Sequence, residues 1–256
     1  MKIGWWLAGL ALALVAAVIQ FPAAWLSPQV DRITQKHWRL AGVEGSLWRG
    51  SGTLFVEDRS SGTWLPAWAL TWQVQWPALL KGRIATQVKF DDGGRANVSA
   101  GISGWTLDDF DFSMPAIQLA TLLPGALAQY GWYGSLTAKG SGFGCDWNGS
   151  SCAGQANISW RGAGTTQLLG QPLGDYRLRL IGEGGALRWD MGTERGRLQV
   201  TGVGEISANT VQFNGEAFAS GEDSARLETM LRAIGRPSST PGHYLIEYRE
   251  ARAARF

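Results

Sequence analysis

Cys145 and Cys152 are the only thiols in the chain. The residues between them, Asp146-Trp147-Asn148-Gly149-Ser150-Ser151, centre on an Asn-Gly pair. Asn-Gly suits a tight reversal, which would bring the two sulfurs side by side. Redox dithiols ordinarily hold two residues between their cysteines, not this longer spacing. A zinc site would need more ligands, and the two histidines, His37 and His243, lie far away in sequence. The chemistry expected is therefore a structural Cys145–Cys152 disulfide made in an oxidising compartment. Closing so short a loop stabilises a fold by roughly 2–3 kcal/mol in the chain-entropy model.

Other reactive groupings are weaker. Asp91-Asp92 stands among turn residues, and Asp108-Asp109-Phe110-Asp111 matches no calcium-loop spacing, so solvated turns are expected for both. Gly140-Ser141-Gly142-Phe143-Gly144 is glycine-rich but opens no helix, which excludes a dinucleotide reading. The chain has no phosphate-binding loop, no His-Glu-x-x-His and no nucleophile elbow. A glycan hydrolase would need two carboxylates facing each other across a cleft. The net charge is +2, from Lys and Arg scattered without a run of four. That excludes the concentrated basic stripe a nucleic-acid binder needs. Neither an enzyme nor a metal or cofactor site is expected.

The 14 tryptophans are the remaining signal. Trp64, Trp68, Trp72 and Trp76 fall along one strand region and form a candidate aromatic contact face for a partner, a lipid or a glycan. The competing reading makes them core filling for a sheet.

The elements that must position these residues are mostly strands. Trp68, Leu70, Trp72, Val74 and Trp76 alternate with wetter neighbours, and Pro77 ends the run. The same period of two recurs at Ile84–Phe90, Tyr176–Leu180, Leu198–Val200 and Val211–Phe213. Glycine clusters at Gly50-Ser51-Gly52, Asp92-Gly93-Gly94 and Gly184-Gly185 are expected as turns between antiparallel strands. Two short helices are predicted, over about 116–127 and 223–234, the second striped by Leu227, Met230, Leu231 and Ile234. Leu119-Ala120-Thr121-Leu122-Leu123 resembles Leu227-Glu228-Thr229-Met230-Leu231, and each would precede a return strand, Trp132–Lys139 or His243–Arg249. Gly45-Ser46-Leu47 before Gly50-Ser51-Gly52 likewise resembles Gly134-Ser135-Leu136 before Gly140-Ser141-Gly142. Two tandem units, about 38–140 and 141–256, are an expectation on these grounds.

Ahead of the strands, Ile3 to Val30 carries no formal charge. A helix over residues 4–26 would span a hydrocarbon core of about 30 Å. Trp5 and Trp6 at one end and Trp25 at the other sit where indoles favour the headgroup level. A cleaved signal peptide competes, with Lys2 as its positive start and Val15-Ala16-Ala17 as a weak cleavage site. The apolar run continues past that site, which favours an anchor. Charges on the two flanks, Lys2 against Arg32, Lys36 and Arg39, leave the orientation open. The cysteine pair instead puts the body outside the cytoplasm.

Phe21-Pro22-Ala23-Ala24-Trp25-Leu26 closes this segment, and the run from Leu40 to Gly52 follows, with Val43-Glu44-Gly45-Ser46-Leu47-Trp48-Arg49-Gly50 at its centre. Then come Trp72 to Pro77, Leu122-Leu123-Pro124-Gly125, Gly134-Ser135-Leu136 and Tyr244-Leu245-Ile246-Glu247-Tyr248. In this order the chain resembles the type II secretion system protein N family over nearly its whole length. The resemblance implies an inner-membrane, single-pass protein of a bacterial envelope. Residues 1–3 would be cytoplasmic, 4–26 transmembrane and 27–256 periplasmic. It also implies an accessory role beside a machine that exports folded proteins through an outer-membrane secretin, with no catalytic residues. Partners would be other inner-membrane and periplasmic secretion components and inner-membrane lipid. The fold expected is mainly β: an N-terminal transmembrane helix, then a strongly curved antiparallel sheet with two short helices. Binding or transfer of lipid along an apolar β groove is the alternative function.

Overall fold

The computed structural model describes residues 9, 12–13, 16–58, 62–116, 131–166, 171–207, 210–221 and 224–251. Short glycine and asparagine turns between period-two segments favour hairpins over crossovers. The chain accordingly folds as an antiparallel meander. Its strands are β1 (Trp38–Gly45), β2 (Arg49–Asp58), β3 (Thr63–Val74), β4 (Ile84–Phe90), β5 (Arg95–Ala100), β6 (Gly104–Pro115), β7 (Trp132–Asp146), β8 (Cys152–Thr165), β9 (Gly174–Gly185), β10 (Leu187–Gly196), β11 (Leu198–Ile206), β12 (Thr210–Ala219), β13 (Arg236–Pro237) and β14 (His243–Ala251). All fourteen belong to one sheet in chain order, except that β14 lies between β12 and β13. Among the described residues the sheet is open, with β1 at one edge and β13 at the other.

Cross-strand register sorts the side chains into two faces. Leu54, Trp68, Leu70 and Phe90 share one face, as do Phe110, Leu136, Trp160, Tyr176 and Tyr244 further along the sheet. The opposite face is polar, with Lys139 paired to Asp111 at 2.9 Å and Arg95 to Asp109 at 3.2 Å. The sheet bends toward its apolar face where the β4–β5 hairpin is short. Trp68 on β3 reaches past that hairpin and donates its indole N–H to the Ser113 carbonyl on β6 at 2.7 Å.

Two clusters fill the apolar face. Phe110 and Phe143 are buried with Ala96 and Ala156, against Trp105 and Phe112. Toward the far edge, α-helix Ser224–Ile234 lays Leu227 and Leu231 onto Tyr176, Leu198, Ala217 and Tyr244. Its apolar residues recur at helical spacing, and Gly235 follows its end, donating to the Leu231 carbonyl at 2.8 Å. We call this helix α3. It follows α1 (Leu26–Ile33), which packs beside β1, and the single turn α2 (Trp76–Leu79).

Several expectations change. Among the described residues no helix is long and apolar enough to cross a membrane. Of the segment 4–26, residues 4–8, 10–11 and 14–15 lie outside the described part, and Trp5 and Trp6 with them. At its other end a helix does not run unbroken to Leu26. Phe21 lies outside any helix, Pro22 is extended and bridges to Ser46, and Ala23–Trp25 is a 3-10 turn. Proline has no N–H to continue a helical ladder, and here the Phe21 carbonyl accepts from the Leu47 N–H at 2.8 Å instead. Gly50-Ser51-Gly52 is inside β2, not a turn. A Cβ on Gly50 would come within 2.5 Å of the Trp72 ring, so the glycine makes room for an indole on the next strand. Asp108–Asp111 lies within β6, not in a hairpin tip, and Asp109 and Asp111 find cations on neighbouring strands. The helix predicted over about 116–127 falls on residues outside the described part, apart from Ala116.

Candidate functional site

The cysteines stand opposite each other where β7 turns into β8, and they are bonded, with Cα atoms 4.1 Å apart. The turn is held by Asp146. Its Oδ1 accepts from the Ser150 backbone N–H at 2.7 Å, its Oδ2 from the Ser150 hydroxyl, and its carbonyl from the Gly149 N–H. The Ser150 hydroxyl, followed by the turn's backbone N–H groups, holds the Asp146 carboxyl below its ordinary range. Trp147 projects from this turn with 60% of its surface exposed. Its indole N–H goes to the Gly101 carbonyl at 3.0 Å, which ties the disulfide hairpin to the β5–β6 turn.

The four tryptophans of the candidate contact face do not share a face. Trp68 and Trp72 are on the apolar side. Trp72 is buried, donating to the Leu47 carbonyl, and Trp68 stacks on Trp38 with ring centres 5.9 Å apart. A register shift between Leu54 and Phe55 on the neighbouring strand turns Trp64 to the polar side, where the Arg39 guanidinium lies 4.4 Å from its ring. Trp76 leaves the sheet in α2 and packs on Trp48 at 4.5 Å. One extra residue in a strand thus divides a set that strict alternation would keep together. The side chains that would line a lipid groove are packed on one another. Phe110 is 4% exposed, Leu136 3% and Tyr176 5%.

Several exposed apolar residues lie together at one end of the sheet, while Ile33, Val203 and Leu245 are exposed singly elsewhere. Adjacent antiparallel strands place the β1–β2, β3–β4, β5–β6 and β7–β8 connections at the same end. Trp76, Leu80, Ile102 and Trp147 come from these connections, and Leu80 and Ile102 are more than nine-tenths exposed. The chain from the N-terminal apolar segment arrives at this end too. Trp48 donates its indole N–H to the Val18 carbonyl at 2.7 Å, and Trp25, half exposed, lies edge-on to Phe21. Lys81 and Arg83 follow Leu80, both exposed. At the opposite end, the β4–β5 turn is Asp91-Asp92-Gly93-Gly94. Sequence reasoning missed Leu80, Ile102 and Trp147 as a group. The signal available was their setting: Gly101-Ile102-Ser103-Gly104 and Asp146-Trp147-Asn148-Gly149 each put a large apolar residue where turns ordinarily carry polar ones.

Among known proteins, the family described as Type II secretion system (T2SS), protein N matches residues 36–246, from just before β1 into β14. A type II secretion system protein N of Vibrio cholerae is 36% identical over 91 residues, which cover 33% of this chain and 34% of that protein. The chain thus spans about a third of the length of that curated relative. No solved structure matches the present chain.

Proposed function

Because the chain belongs to the type II secretion system protein N family, we propose that it is an accessory inner-membrane component of that machinery. In this reading, residues 4–26 hold it in the membrane by a single pass, and the sheet stands in the periplasm and contacts other secretion proteins. The observation that carries the role is the extent of the family match, which takes in nearly the whole sheet. The disulfide supports the compartment, since such bonds persist outside the reducing cytoplasm. The contact with the plainest physical basis is strand addition at β14. Among the described residues β13 pairs only with Tyr244 and Leu245, so the remaining edge of β14 is open to another strand.

Crosslinking in intact membranes, with the chain at native level, tests the role. Inner-membrane and periplasmic secretion components should be recovered with it, and photo-crosslinkers at Glu247 and Arg249 should capture them more efficiently than one at Asp91. Recovery of no secretion component would overturn the reading. Recovery with no preference for β14 would move the contact elsewhere on the sheet.

A further inference from the structure

We propose that the turn end of strands β1–β8 is a membrane-docking surface, with Leu80, Ile102 and Trp147 seated at the boundary between headgroups and acyl chains of a lipid bilayer. The inference goes beyond the secretion role and shares with it only the premise that the chain is held at a membrane.

Three observations converge on a bilayer as the occupant. The first is continuity: the uncharged N-terminal segment joins the sheet at this end, through Trp48 to Val18 and Leu47 to Phe21. A helix leaving Val18 for the membrane would bring these turns to the surface it enters. The second is residue chemistry. Trp147 is largely exposed, yet its indole N–H is already satisfied by the Gly101 carbonyl. Its ring can therefore enter an apolar boundary without stripping a donor of water. Ile102 and Leu80 have side chains almost wholly in water, and each would shed apolar surface on insertion. The third is charge. Lys81 and Arg83 lie beside Leu80, where they would meet anionic headgroups, and the Asp146 carboxylate in the same set of turns is engaged by the Ser150 hydroxyl and N–H. A protein partner would satisfy the apolar residues equally. It would not account for their clustering around the point where the apolar segment enters.

The test uses the full-length chain with its native disulfide left oxidised. Ile102→Cys carries an environment-sensitive fluorophore, and Asp91→Cys at the opposite end carries the same probe as reference. Each is reconstituted into vesicles of phosphatidylethanolamine and phosphatidylglycerol containing a lipid with a quencher near the headgroup. The probe at 102 should shift to the blue and lose most of its emission to the lipid-borne quencher, while the probe at 91 keeps its emission. Equal quenching at the two positions overturns the proposal. So does a blue shift at 102 in native membranes that lipid-borne quencher does not touch, because that outcome assigns the surface to a protein. Alkaline carbonate extraction separates this result from the anchor. A chain that washes off yet is quenched at 102 keeps the docking surface and loses the membrane pass. A chain that resists extraction but is unquenched does the reverse.

Discussion

At the residue scale, Asp175 shows how one side chain fixes the register of two neighbouring strands. Its Oδ1 accepts from the Gly162 N–H at 2.7 Å, and its Oδ2 accepts from Arg195 Nη2 at 2.8 Å and Nε at 3.0 Å. The strand on either side is irregular at that level, with shifts between Trp160 and Ala163 on β8 and between Thr193 and Arg195 on β10. A bulge frees backbone groups from the ladder, and Asp175 supplies the acceptor that satisfies one of them. The Gly162 N–H, followed by the Arg195 guanidinium, holds its carboxyl below the ordinary 3.8. A depressed folded-state value means stability that is fully present above the unfolded value and is lost as pH falls through the folded one. Asp175→Asn should therefore cost about 1.5–3 kcal/mol near neutrality, the usual worth of a hydrogen bond to a charged group. The deficit should begin to shrink as pH drops below 3.8, where the carboxyl of the unfolded chain takes up its proton, and should vanish only as pH falls through the lower folded-state value. Urea midpoints of the two proteins across that range check this, and a deficit that stays constant with pH would refute the assignment.

At the element scale, the β7–β8 hairpin joins the disulfide to the turn end. Reducing the bond, or replacing both cysteines by serine, removes a constraint on the unfolded chain and should lower stability by roughly 2–3 kcal/mol. The hairpin should keep its register, because Asp146 closes the turn by itself through Ser150 and Gly149. Hydrogen exchange distinguishes the two effects: Ser150 and Gly149 amides should stay protected in the serine variant, and their full exposure would show that the sulfurs, not Asp146, set the turn. This element was also the one most open to reading from sequence, because spacing and an Asn-Gly centre both pointed to it. Strands with clean alternation were equally plain: Tyr176, Leu178 and Leu180 gave β9, and Val211 and Phe213 gave β12. So was α3, whose stripe of Leu227 and Leu231 is buried where a helical period puts it. What sequence could not give was anything that depends on a neighbouring strand. Gly50 reads as a turn until Trp72 is placed against it, and Gly204 makes the same accommodation for Trp189. Trp64 belongs with Trp68 until the shift opposite Leu54 reverses it. The clustering of Leu80, Ile102 and Trp147 exists only once the strands are paired.

At the scale of the whole molecule, an open meander has no closing strand to make its stability uniform. Each strand pairs only with its neighbours, so coupling between distant parts passes through the strands between them. The cluster under α3 draws on β8, β9, β11, β12 and β14, while the cluster around Phe110 draws on β5 to β8. They meet in β8, which gives Ala163 to the first and Ala156 to the second. Such a layout predicts sub-global opening from the far edge rather than one all-or-none event. Leu231 is fully buried on α3, so Leu231→Ala removes packing that cannot be recovered from solvent and should cost about 2–5 kcal/mol locally. The loss should fall on one part of the sheet. Amides of β11, β12 and β14 should exchange faster, whereas those of β5 and β6 should keep their protection. Equal loss across the sheet would mean that the two clusters unfold as one unit. Retention of β5 and β6 would mean that the strands bearing the Ile102 turn keep their structure when the α3 end opens. The β14 edge could then rearrange while the turn that carries Ile102 stays in place.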